Sequence, residues 1–161
     1  MPYVQRNQSG DVIAFYPREQ KGVAEELLAD DHADLRLFRL ASMKAAAQAA
    51  VSEDAESIRM RFITPGAGKA LAYQEKAAQA RAFLADVSPT QAKYPLIYAE
   101  VGITAENATA VATVIDGKYQ QFRAIEAAIA RVELGARKAI RDAAREEDVR
   151  AVLAGIAWPQ A

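Results

Sequence analysis

With 161 residues the chain suits one domain, and a hydrophobic content of 52% allows a core. Much of that fraction is alanine and only 7% of residues are aromatic. Alanine is the best helix former but buries little area, so a thin helical bundle or helical oligomer fits better than a thick α/β core. A formal net charge of −1 argues against nucleic acid or an anionic membrane as partner, and the lack of cysteine excludes disulfides, thiolate catalysis and cysteine-ligated zinc.

The N-terminal residues Met1 to Arg6 contain no apolar stretch of the kind a signal peptide needs, and no apolar run reaches the ~18 residues of a membrane span. The expectation is a soluble protein made in a cytoplasm. Tyr3-Val4-Gln5-Arg6 and Val12-Ile13-Ala14-Phe15-Tyr16 are strand-like, and the turn-forming Asn7-Gln8-Ser9-Gly10-Asp11 between them predicts a hairpin. Pro17 should end the second strand or sit on its edge. Val23–Leu28 reads equally as a third strand or as one helical turn. An isolated hairpin is marginal in water, so this element must pack on a helix or on a partner chain.

Asp30, Asp31 and Asp34 mark a helix start, because carboxylates complement the free N–H groups of a first turn. A 3-and-4 spacing follows through Leu37, Leu40, Lys44, Ala47, Val51, Ala55, Ile58 and Phe62. It should stop at Thr64-Pro65-Gly66, where Pro65 and Gly66 form a hinge. A second helix is predicted from about Gly68 to Asp86, with Leu71, Gln74/Glu75, Ala78 and Ala82 on one face and Tyr73, Ala77, Ala80 and Leu84 beside it. Ser88-Pro89-Thr90-Gln91 predicts a further helix start, short or kinked because Pro95 follows within two turns.

Thr104 or Asn107 opens the longest pattern. Val111, Ile115, Phe122, Ile125, Ile129 and Val132 define an interaction seam, prolonged through Ala136, Ala139 and Ala143. The alternating spacing holds for about five heptads, as in a coiled coil. Such a helix would be ~60 Å long at ~1.5 Å per residue. Glu146-Glu147-Asp148 should open a last short helix. The predicted class is therefore mainly α: an N-terminal β-hairpin or small meander, then a helical bundle with one long coiled-coil-like helix. In chain order this gives a β element over 1–29, a helical hairpin region over 30–103 and the long helix with its short successor over 104–161.

Chemistry-bearing motifs are scarce. Gly68-Lys69 imitates the end of a phosphate-binding loop, but Ile63 stands where that motif has its first glycine. Ala70 lacks the magnesium-binding hydroxyl, and the preceding segment reads as helix rather than strand. His32 among Asp30, Asp31 and Asp34 is better read as a solvated helix start than as a metal site. No nucleophile elbow is present. Glu25/Glu26 and Glu146/Glu147 are adjacent pairs, which diverge on a helix. Arg131, Arg137, Lys138, Arg141, Arg145 and Arg150 interleave with acids, the pattern of a solvated helix face rather than a nucleic-acid surface. Tyr119 and Phe122 read as inter-helix packing. No catalytic, cofactor-binding or metal-binding residue is assigned, and a non-enzymatic role is expected.

Three segments resemble a known family when taken together. They are the opening "MPYVQRNQSGDVIAFYPREQKGVAEELLADD", the joint "IRMRFITPGAGKALAYQEKAAQARAFL" and "YPLIYAEVGIT". The combination resembles small proteins encoded in tail modules of tailed bacteriophages and prophages, often near tail-fibre genes. Its most specific element is the joint, with Ile63, Thr64, Pro65, Gly66, Tyr73, Gln74 and Lys76. The resemblance implies a structural component of the virion tail or baseplate, with tail-fibre or baseplate proteins as partners; charge and hydropathy predict neither nucleic acid nor membrane as partner. The alternatives are a tail-fibre assembly chaperone that leaves before maturation and a phage-encoded inhibitor of a host protein. A homo-oligomer is expected, and a trimer is favoured by analogy with tail fibres.

Overall fold

A computed structural model describes residues 1–63 and 66–160. Among them are three strands, β1 (Tyr3–Arg6), β2 (Val12–Tyr16) and β3 (Glu26–Leu27), and five helices: α1 (Ala33–Arg59), α2 (Ala67–Ala85), α3 (Pro95–Tyr98), α4 (Ala108–Asp142) and α5 (Glu146–Ala154). The predicted class holds: a small antiparallel sheet, then helices, one of them 35 residues long. Contacts divide the chain into two compact units, residues 1–53 with 134–156 and residues 54–133 with 157–161.

In the first unit the sheet order is β2-β1-β3. The hairpin turn forms because the Asn7 side-chain carbonyl accepts the N–H groups of Ser9 (3.0 Å) and Asp11 (2.9 Å). Gly10 completes it at φ 86°, a region that suits a residue without Cβ. The ambiguous third segment is a short strand, with Val4 paired to Glu26 and Tyr3 to Leu27. Arg6 ties these pieces together. Its guanidinium binds both Glu26 oxygens (2.6 and 2.9 Å), the Asp34 carboxylate (2.8 Å) and the Gly10 carbonyl (2.7 Å). This bidentate pairing holds the Glu26 carboxyl below the usual carboxylate range.

The hairpin's support is α1, as the marginal stability of a lone hairpin demands. Val4, Val12, Leu28 and Leu35 form a buried cluster with Phe38 against it. Here the predicted helix face needs correcting at its start. Leu35 is fully buried, whereas Leu37 is 65% exposed. Further along, Ala47, Val51, Ala55 and Ile58 are buried as their spacing predicts. Lys44 belongs to that stripe for a polar reason: its ammonium donates to the Arg141 carbonyl at 2.8 Å, supplying a partner near the C-terminal end of α4. The α4 stripe drifts here from the predicted Ala139 to Ile140, which is fully buried, because a straight helix turns every 3.6 residues rather than 3.5. α5 opens as predicted, with the Asp148 carboxylate accepting the Arg145 backbone N–H at 3.0 Å.

In the second unit, α2 buries Ala77, Ala80 and Phe83. The predicted face through Leu71, Ala78 and Ala82 is exposed, Leu71 by 68%, and of the set beside it Ala77 and Ala80 are buried while Tyr73 and Leu84 are exposed. Phe83 decides that phase, because its ring packs edge-on against Tyr94 (5.4 Å between centroids) and Tyr98 (6.1 Å). The helix predicted to open at Ser88 is absent. Pro95 instead occupies the first position of α3, where its missing N–H costs nothing. Ser88 is engaged otherwise: its N–H donates to the Asp86 carboxylate, which also accepts Lys93 Nζ and the Tyr94 hydroxyl, each at 2.9 Å.

That Asp86 hub gives a pH prediction. The Ser88 N–H first, then Lys93 and Tyr94, hold the Asp86 carboxyl down at about 2. A depressed folded-state pKa contributes stability that is fully present above about pH 4 and is lost as pH falls towards 2. Asp86→Asn should therefore melt at lower temperature than wild type at pH 6, and the two melting curves should converge by pH 2. Circular dichroism melts across this range check it; a gap that persists unchanged to pH 2 contradicts the hub.

Candidate functional site

The second unit contains a cavity of about 480 Å³. One wall comes from α2. Ala70, Tyr73, Gln74 and Ala77 recur at helical spacing on one face, and Lys76 stands at its edge. The opposite wall comes from α4, where Val114, Ile115, Lys118, Tyr119 and Phe122 follow the same 3-and-4 rule. Phe62, Ile63, Glu100 and Thr104 complete the lining. Most of the lining is apolar, with a few converging polar groups, the usual make-up of a ligand or peptide site.

The polar part of the lining is well built. Glu100 is ion-paired with Lys76 and accepts the Thr104 hydroxyl at 2.6 Å. Backbone geometry supports it: the Thr104 N–H donates to the Glu100 carbonyl at 2.9 Å, and Gly102 takes φ 79° while its N–H reaches the Ala105 carbonyl. The Lys76 bond first, then Thr104, holds the Glu100 carboxyl below its ordinary range. A carboxylate stabilised in that way is a weak base and is not available as a proton donor at neutral pH. The arrangement is suited to holding a ligand.

Tyr119 forms part of the rim. The Arg81 guanidinium lies 4.7 Å from the centre of its ring and that of Arg123 lies 6.0 Å away. Lys118 acts through space on Glu100. Among the described residues, no carboxylate forms an ion pair with Arg81, Lys118 or Arg123.

The predicted seam residues are distributed along this unit. Val111 is fully buried with Phe83 and Ile97, and Ile115 packs against that cluster. Ile115 and Phe122 line the cavity. Ile129 is buried with Ala55 and Ile58, with Ile125 packed alongside, and Val132 is half-buried. Val111, Ile115, Ile125 and Ile129 thus pack on the chain's own residues. Asn107 opens α4 as predicted, its side-chain carbonyl accepting the Ala110 N–H at 2.9 Å. Of the predicted hinge, Pro65 lies outside the described residues. Gly66 precedes α2 at φ 124°, and its carbonyl accepts the N–H groups of Lys69 and Ala70.

Sequence reasoning does not single out Arg81, Glu100 or Arg123; it names Thr104 only as a possible helix start and Lys118 only as a position in the long helix's repeat. A usable signal existed for Lys118, a lysine inside an otherwise apolar seam. His32 sits at a helix start, its Nδ1 accepting the Asp34 N–H at 3.3 Å. Among the described residues no group of three or more His, Asp or Glu could hold a metal ion, and no helix is long and apolar enough to cross a membrane. Comparison with protein-family models, curated proteins and solved structures finds no match to this chain.

Proposed function

We propose that this protein is a structural component of a bacteriophage tail or baseplate, associated with the tail fibre, and that it works by binding other polypeptides. One observation carries the reading. Two separate segments that bear the tail-module resemblance contribute to one cleft. The joint brings Ile63, Tyr73, Gln74 and Lys76, and the "YPLIYAEVGIT" segment brings Glu100 and Thr104. A mostly apolar cleft with a committed ion pair in its lining favours binding over reaction. Self-association, with a trimer as the leading stoichiometry, and residence in the virion tail belong to the same proposal.

Mass spectrometry of purified particles tests it: the protein should be present in fixed ratio to the fibre. Absence from particles overturns the structural role. If fibre solubility on co-expression nevertheless depends on this protein, the assembly-chaperone reading replaces it. Normal tails from a deletion phage would favour an inhibitor of a host protein. Light scattering of the purified chain tests the oligomer separately.

A further inference from the structure

We infer that the cleft of the second unit takes an acidic peptide segment of a partner protein, with an aliphatic or aromatic side chain in the cavity and its carboxylates on the Tyr119 rim. The inference deepens the preceding reading and rests on it, because it names the chemistry of the polypeptide that binds.

Charge decides the occupant. Inside the cleft Lys76 and Glu100 neutralise each other. Around Tyr119 the balance is positive: Arg81 and Arg123 flank one ring, Lys118 lines the same wall and acts through space on Glu100, and none of the three forms an ion pair among the described residues. Of the acids near them, Glu126 is gripped by Arg59 at 3.0 Å, while Asp116 accepts the Gln120 amide at 3.3 Å and keeps its charge, so cations outnumber free carboxylates on this side. Three cations without an ion pair beside an apolar hollow, an excess of positive charge, would repel a basic segment and give no charge complement to a neutral one. A carboxylate can meet a guanidinium in two-point geometry, while the adjoining apolar side chain leaves water for a wall made by Val114, Ile115 and Phe122. A volume of about 480 Å³ admits a few side chains rather than a folded domain, so a short extended or helical segment is the natural guest.

The test is selection of a random dodecapeptide library on the purified full-length chain, followed by fluorescence anisotropy with the leading peptide as a labelled synthetic probe. Enriched sequences should carry Leu, Phe or Trp beside at least two Asp or Glu. Raising salt should weaken the probe's binding. The double reversal Lys118→Glu/Arg123→Glu should weaken it by about tenfold or more, each rim contact being modest alone. Both side chains are exposed, so the variant should keep the wild-type helical signal. Val114→Trp, which narrows the cavity from its partly exposed rim without adding charge, is an independent check and should also weaken binding. Enrichment without acidic bias, binding indifferent to both variants, or no enrichment overturns the proposal. So does preferential binding of oligothymidylate, or a loss of oligomer mass in the reversal variant, which would give the cleft to a second copy. Particle composition is untouched by these outcomes, so the two readings fail separately.

Discussion

Replacing Ile129 with aspartate is expected to unfold the second unit, not merely to change its assembly. Ile129 is 1% exposed and sits among Ala55, Ile58, Phe62, Ile125 and Trp158, none of which can solvate a carboxylate. A charge confined there without a partner costs several kcal/mol, and removal of the packed isobutyl-sized side chain adds the loss of a well-filled site. The combined effect, at least about 4 kcal/mol, is a large share of the ~5–15 kcal/mol that holds a typical domain together. Circular dichroism should therefore show lost helicity and a collapsed melting transition at any protein concentration, with Trp158 fluorescence shifting towards that of exposed indole. Light scattering on the same sample separates the alternatives. A lower mass with full helicity would mean that Ile129 seals a contact between chains and not within one. A variant unchanged in helicity and melting would refute the packing assignment outright.

How much of this was legible depended on what each segment was made of. α4 was readable because Val111, Ile115, Phe122, Ile125 and Ile129 are large, branched or aromatic, so their spacing carries a phase. The hairpin was readable because Asn7 and Gly10 do specific things to a turn. α1 and α2 were readable as helices but not as faces. Both are rich in alanine on every side, and an alanine methyl costs so little when exposed that its position says little about where the core lies. Counting from Leu71 therefore picks an exposed side of α2, because Leu71, Tyr73 and Leu84 all stay exposed and Phe83 is the large apolar side chain that the helix buries. Ser88-Pro89 offered a sound helix start that lost to a competing use of the same atoms, since Asp86 takes the Ser88 N–H. The cleft was illegible for a different reason. Its walls come from Tyr73 and Lys76, Glu100, and Lys118 and Tyr119, and nothing local in sequence says that these will face one another.

The phase of α1 can be put to the same kind of trial with two neighbouring leucines. Leu35→Ala should destabilise the first unit by about 2–5 kcal/mol, whereas Leu37→Ala should stay within about 0.5 kcal/mol of wild type. The two changes delete the same atoms from the same helix, at a similar cost in helix propensity, so only burial distinguishes them. Leu35 fills the space between Val4, Val12 and Leu28, and every one of its neighbours loses contacts when it shrinks. Leu37 is 65% exposed and leaves little behind. The sheet should register the difference most sharply. A three-stranded sheet whose third strand is two residues long depends on its helix, and the edge contact of Phe15 with Phe38 at 6.0 Å is worth only about 0.5–1.5 kcal/mol on its own. In Leu35→Ala the amide protons of β1, the central strand, should lose exchange protection along with global stability; in Leu37→Ala they should keep it. Equal losses in the two variants would mean that α1 presents a different side to the sheet, and the cluster around Val4 would have to be reassigned.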